Sequence, residues 1–280
     1  MKLQILVFSA LMCLHSPVSQ SEEAKPCVVF APLTFGVLPF VSARQLVVRF
    51  APLAHYLTVS LATEVRLETA PSFIEFARRT REEQRYDILF TAPHFYPPAS
   101  KAGYRLVARV DSSGMRALIV VPEKSAIKSI KDLPGKRMAT LDAKSLASLL
   151  VKKHLLENAI DPDNDLTIVY TPTHNASLLS AYHGVTDAAA LMQPPFEAAS
   201  VKVRESMRII AKTQSAPHIP ISVSKKISES CVAEIQSVLL NMASTVKGQK
   251  VLEHNRFAGF SEAREEAYEK VRELMMQDQK

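Results

Sequence analysis

The chain has no tryptophan, and only 7 of its 280 residues are glycine. Backbone cradles for phosphate need glycines at fixed offsets, and neither GxGxxG nor GxxxxGK[ST] occurs, which excludes those nucleotide-binding turns. Beyond the first twenty-odd residues no apolar run approaches the length needed to cross a bilayer. Basic residues are scattered, with short clusters such as Arg78-Arg79 and Lys152-Lys153. No basic stripe interleaved with aromatics occurs, so nucleic acid is not an expected partner. The 3 cysteines have no CxxC or other metal-ligand spacing, and neither a metal nor a cofactor is expected. Repeats and low-complexity segments are also missing.

What is present is an ordinary globular composition, 47% hydrophobic and 22% charged, in a chain long enough for two domains with sizeable cores. Residues 1–21 read as a signal peptide. Lys2 supplies the positive start, Leu3–Leu14 is an apolar run too short to span, and Ser19-Gln20-Ser21 is a small-x-small cleavage site. The mature protein is therefore expected to be exported and soluble. Cys13 leaves with the leader, and Cys27 and Cys231 remain. Export permits a disulfide between them, but their spacing neither requires nor forbids one. The formal net charge of +6 suits an anionic small ligand or an anionic membrane surface without choosing between them.

In order, the chain alternates strand and helix patterns. Phe30–Pro39 reads as a buried strand running into a loop. Leu46, Phe50, Leu53, Leu57 and Leu61 fall three or four apart, the spacing of a helix, and Pro52 predicts a break inside it. A strand follows over Glu64–Glu68, then a helix capped by Ser72 with Glu75 in the reciprocal position. Next comes a short strand that opens at Asp87 and stops at Pro93. This β-α-β-α-β order predicts a parallel sheet with helices on its faces. Leu106–Val110 and Ala117–Val121 are further strands. A second cycle comprises strand Arg137–Thr140, a helix from Ser145 to about Asn158 and strand Leu166–Tyr170. It ends with a helix over His174–His183, stopped at Gly184, and a strand running from Asp187 to Pro194. The unit of Asp, apolar strand and Pro thus occurs at Asp87 and again at Asp187, which suggests two similarly built lobes. Arg208–Ala211 and Ile219–Val223 read as strands returning to the first lobe, with Glu229–Val246 and Glu262–Met276 as closing helices.

Several short pieces then stand in a telling order. They are Phe35-Gly-Val-Leu-Pro39, Pro52-Leu-Ala-His-Tyr-Leu57, Asp87-Ile-Leu-Phe-Thr-Ala-Pro93 and Ile127-Lys-Ser-Ile-Lys-Asp-Leu-Pro-Gly-Lys136. The Asp142/Ser145 loop, His174-Asn-Ala-Ser and Gly184-Val-Thr-Asp187 complete the set. Together they resemble the phosphate, phosphite and phosphonate periplasmic binding proteins of ABC transporters. The resemblance implies an α/β, two-lobed type II periplasmic binding protein, each lobe a mostly parallel sheet flanked by helices, hinged at two crossovers. Lobe one is expected over 26–116 plus 212–280, and lobe two over 117–211. Such a protein is not an enzyme. It captures a small ligand between its lobes in the periplasm, closes, and presents the closed form to a membrane permease. A monomer is expected. The ligand-binding residues so implied are Thr91, Ala92, Pro93 and Tyr96 after the Asp87 strand, with His174, Asn175 and Asp187 from lobe two. Ser145 and Leu146 join them at the start of a helix whose free amides and dipole hold an oxyanion.

The sequence departs from the family pattern at that anchor. An Asp-x-x-Ser-Thr-Ser-Gly loop becomes Asp142-Ala-Lys-Ser145-Leu146-Ala147-Ser148. The family's positions for an aminoalkyl ammonium fall near Pro194 and near Ile221 or Ser222. No carboxylate stands in either place, so 2-aminoethylphosphonate is a poor candidate. With Leu146, Ala147, Pro194, Ile221, Phe73, Phe90, Phe95 and Tyr96 near its mouth, the cleft is expected to be more apolar than phosphonate requires. The alternatives are carriage of an apolar or sterol-like lipid on the same scaffold, or ligand sensing for a membrane receptor kinase. Catalysis by His174 and Asp187 finds no support, since they flank a predicted helix on opposite sides with no nucleophile elbow. A metal set of His94, Tyr96, His174 and His218 lacks paired spacing and carboxylate support.

Overall fold

A computed structural model describes residues 25–30 and 32–277, and the expected leader lies outside them. The chain begins with β1 (Leu33–Val37), α1 (Ala43–Leu61), β2 (Val65–Glu68), α2 (Phe73–Arg78), β3 (Ile88–Phe90), α3 (Tyr96–Lys101) and β4 (Tyr104–Val110). It continues through β5 (Ala117–Pro122), β6 (Arg137–Thr140), α4 (Leu146–Leu156), α5 (Pro162–Asp165), β7 (Thr167–Tyr170) and α6 (His174–Tyr182). Then come β8 (Ala188–Met192), α7 (Gln193–Glu197), α8 (Val201–Glu205) and β9 (Met207–Lys212). It closes with β10 (Pro220–Ser224), α9 (Glu229–Leu240), α10 (Val246–Asn255), β11 (Phe260–Ser261) and α11 (Glu265–Gln277).

These strands form two sheets, ordered β11-β4-β10-β3-β1-β2 and β7-β6-β8-β5-β9. The expected α/β architecture is present in both, but the sheets are mixed rather than mostly parallel, because strands from outside each β-α-β cycle join it antiparallel. In each, β-α-β crossovers lay three neighbouring strands parallel, β2-β1-β3 and β7-β6-β8. A strand from outside that cycle then runs antiparallel beside the trio, β10 against β3 and β5 against β8. Both faces of the sheets are covered. Ala117, Ile119 and Val121 of β5 enter one core cluster while Leu118 and Val120 enter another. A strand buried on both faces shows no polar alternation, which is why such strands read as unbroken apolar runs.

The two aspartates that open β3 and β8 perform one task twice. The Asp87 carboxylate accepts from the Thr34 amide (2.8 Å) while its own amide donates to the Thr34 carbonyl (2.9 Å). The Asp187 carboxylate accepts from the Arg137 amide (2.9 Å), and its amide donates to the Arg137 carbonyl (2.9 Å). Each side chain therefore pins the register of the neighbouring parallel strand, at the amino end of its sheet.

Gly36 in β1 lies against Tyr86, whose buried ring stacks on Phe76 at 4.8 Å. A Cβ at position 36 would stand 2.5 Å from Tyr86 Cγ, and a ring wedged between packed neighbours has nowhere to swing. Gly36→Ala is expected to destabilise the fold by about 1–3 kcal/mol. The measurement is a urea titration, with a lower midpoint at unchanged slope as the expected result; an unmoved midpoint would mean that the ring yields freely.

The two segments joining the sheets run side by side. Met115 and Ala216 exchange amide–carbonyl bonds of 2.8 Å in each direction. Gly114 is needed there: it has φ +97°, and a Cβ would stand 2.2 Å from Ser215 Oγ. α11 reaches both lobes. Its Tyr268 donates to the His218 carbonyl (2.8 Å) and meets Tyr96 edge-on at 5.2 Å, while Leu274 and Met275 join the core of the second sheet.

Several local expectations are corrected. α1 runs unbroken through Pro52. Proline leaves the carbonyl four residues earlier without its helical donor, and the His254 Nε2 group takes that Val48 carbonyl at 3.0 Å. Ser72 does cap α2, but Glu75 does not reach back. It holds Arg78 and Arg79 instead, and those guanidiniums lower its carboxyl to about 2. The strand read at Arg208–Ala211 stays in the second sheet as β9, paired with β5. The helix read over Glu229–Val246 ends earlier, at Leu240, and Thr245 caps a further helix, α10, that begins at Val246. The pairing left open by the sequence is settled: Cys27 and Cys231, both fully buried, form a disulfide.

Candidate functional site

Helices in an α/β sheet leave from the carboxyl ends of the parallel strands, the end at which ligands of such sheets sit. In the second lobe α4 and α6 therefore start side by side after β6 and β7. Their first turns are linked through the end of β6: Thr171 bonds Ser177 of α6 (2.6 Å) and donates to the Thr140 carbonyl (3.2 Å), and the Thr140 hydroxyl bonds Ser148 of α4 (3.1 Å).

Ser145 caps α4. Its Oγ accepts from the Ser148 amide (3.2 Å) and donates to Ser148 Oγ (3.0 Å), which in turn donates to the Leu141 carbonyl (3.0 Å). The hydroxyl is thus committed to the cap. The amides of Leu146 and Ala147 are the first two of the helix and have no intrahelical acceptor. They are the donors this end offers to an anion, reinforced by the helix dipole. The side chains of both residues turn into the second lobe's core and do not face a cleft. The same correction applies to Ile221 and Phe90, which lie in the first lobe's core.

His174 is the first residue of α6, after the Thr173 cap. Its Nδ1 is buried without a hydrogen-bond partner, and burial pushes the imidazole down to about 4. A neutral ring keeps one nitrogen as donor and one as acceptor. Asn175 beside it is exposed.

In the first lobe the chain leaves β3 through Thr91, Ala92 and Pro93. Thr91 is 2% exposed, and its amide donates to the Pro220 carbonyl (3.4 Å). His94 follows in a tight turn, its Nδ1 also buried and unpartnered, with burial again lowering the ring to about 4. A cavity of about 220 Å³ opens here. Thr91, His94 and Phe95 line it from the first lobe, Lys144 from the second and Met275 from α11.

The residues expected to bind ligand divide accordingly. Thr91 shares a cavity with Lys144, the immediate neighbour of Ser145, and Ala92 and Pro93 flank Thr91 in sequence. Tyr96 turns away, its hydroxyl donated to Glu265 of α11. Asp187 lies at the opposite end of β8 from the ligand side, occupied by Arg137. Sequence reasoning missed Lys144, Arg81 and Met275. Only Lys144 carried a local signal, its place beside a helix cap. Among the described residues no cluster of His, Cys, Asp or Glu could hold a metal ion, and no helix is long and apolar enough to cross a membrane.

Comparison with known proteins agrees with this fold. PhnD1 of Prochlorococcus marinus, solved with methylphosphonate, is similar to this chain with a TM-score of 0.75 and 18% identity, over 88% of this chain and 97% of that one. A binding-protein component of an ABC phosphonate transporter from Pseudomonas aeruginosa gives 0.74 and 17%, over 88% and 86%. The aliphatic sulphonate-binding protein SsuA of Escherichia coli gives 0.66 and 15%, over 88% and 87%. At such identities these likenesses establish the fold, two hinged α/β lobes of the type II periplasmic binding kind. A family model described as "ABC transporter, phosphonate, periplasmic substrate-binding protein" matches residues 35–268. With nearly the whole described chain inside that match, the protein belongs to the phosphonate family of periplasmic substrate-binding proteins of ABC transporters, which bind and hand over substrate and are not enzymes.

Proposed function

We propose that this protein captures a small oxyanion of the phosphonate or sulfonate class between its lobes in the periplasm and delivers it, as a monomer, to a membrane permease. One observation carries the reading: Thr91 of the first lobe and Lys144 of the second line a single cavity. A ligand that touches both lobes adds contacts only in the closed form and shifts the hinge equilibrium by that difference. The anion is held by the Leu146 and Ala147 amides at the start of α4, by the His174 ring nitrogen and by the Lys144 ammonium, with Thr91 meeting it from the first lobe. Ser145 shapes this end rather than bonding the ligand, because its hydroxyl caps the helix. Asp187 and Tyr96 support the fold.

The test is calorimetric titration of the full-length mature protein with methylphosphonate, methanesulfonate and phosphite. His174→Ala is expected to weaken the best of them by about ten- to a hundredfold, the range for one hydrogen bond to a charged group. Asp187→Ala is expected to leave affinity unchanged while lowering stability. If none of the three anions binds, the reading fails.

A further inference from the structure

The cavity between α2, α3 and α11 is larger and more apolar than an oxyanion head requires. Its walls include Phe76, Ala77, Phe95, Pro98, Ala99 and Met275. An apolar cavity of about 150 Å³ already accepts benzene, and this one measures about 220 Å³. Its polar lining is sparse and one-signed. The Thr80 hydroxyl is spent on the Phe76 carbonyl (2.8 Å). Arg81 and Lys144 contribute cations, and among the described residues no carboxylate lines the cavity beside them. The buried Nδ1 of His94 stands in the same lining with no partner. Such a site has room for hydrocarbon, positive charge at its edge and nothing to neutralise a second cation.

Resting on the oxyanion reading above, we infer that the preferred ligand is an organic oxyanion bearing an uncharged hydrocarbon group of up to about ring size. That group is seated against Phe76, Phe95 and Met275, and Arg81 and Lys144 stand beside its charged head. The head fixes the ligand at the lobe junction, and the cavity sets which substituent is preferred. Because Met275 belongs to α11, which also packs into the second lobe's core, filling this space stabilises the junction between the lobes.

The experiment compares methyl-, n-butyl- and phenylphosphonate by calorimetry on the full mature chain. Affinity is expected to rise by up to about fourfold for each methylene buried, with phenylphosphonate also tighter than methylphosphonate. Ala77→Leu, which fills part of the cavity from a part-buried wall position, is expected to abolish the gain of butyl- and phenylphosphonate over methylphosphonate. Equal affinities for all three in the unmodified chain overturn the inference and leave the oxyanion reading standing. Binding of none overturns both.

Discussion

Acidification from about pH 7 to about pH 4 is expected to remove about 3 kcal/mol of folding stability for each of His94, His174 and His218. Burial holds all three imidazoles at about 4 in the folded chain, with Arg109 adding to the effect at His218. In the unfolded chain they titrate near 6.5. Between those values the unfolded state binds more protons, so the stabilisation is complete above about 6.5 and is lost as the pH falls toward 4. The structural cause is specific. A proton on Nδ1 of His94 or His174 would be buried with no acceptor. At His218 it would displace the Ile219 amide, which now donates to Nδ1 at 2.8 Å. Urea titrations across this window should therefore give a slope of up to about 4 kcal/mol per pH unit when all three protons are taken up together. His94→Gln should flatten it by about a third. Equal unfolding free energies at about pH 7 and about pH 5 would contradict the account.

Cys231→Ser is expected to lower stability by about 3–5 kcal/mol, because the bond to Cys27 closes a loop in the unfolded chain that is among the longest this chain allows. The two cysteines are 204 residues apart. Chain-closure entropy grows with the logarithm of that separation, which puts the expectation at the upper end of the usual range. The bond also fastens the turn before β1 to α9, so both ends of the first lobe's core depend on it. At about 2–4 °C per kcal/mol for a chain of this size, the melting temperature should fall by about 10 °C. Reducing the unmodified protein should reproduce the shift. A melting curve unmoved after verified reduction would mean that the loop is held by the core alone.

Much of the fold was legible because its signals are local. Strand β6 matches the strand read over Arg137–Thr140, and Ser145 and Ser72 mark helix starts through their own side chains. The repeated Asp, apolar strand and Pro correctly indicated two lobes of one plan, yet the aspartate's role was misread. Sequence places Asp187 next to a ligand-side strand, but only pairing reveals which end of that strand it occupies. Pro52 misled for a similar reason, since the partner that rescues the Val48 carbonyl, His254, comes from a helix 206 residues away in sequence. The candidate site was read in part. Thr91 and the Ser145 loop stand on local strand and cap signals. Arg81, in the turn after α2, and Met275 of α11 line the same cavity as Thr91 only through tertiary packing, which no periodicity in either segment announces.

The insertion of β10 between β3 and β4 has a consequence for the order in which the nascent chain can mature. Every strand of the second sheet lies between residues 117 and 212, so that sheet can be completed while the last quarter of the chain is still being made. The first sheet cannot: its centre stays a gap, with the inner edges of β3 and β4 unpaired, until β10 arrives. Unpaired edges are where chains associate wrongly, and such late, long-range closure is intrinsically slow. The sheet whose strands come first in the chain is therefore the last to close, and its open centre is the part most in need of protection during synthesis.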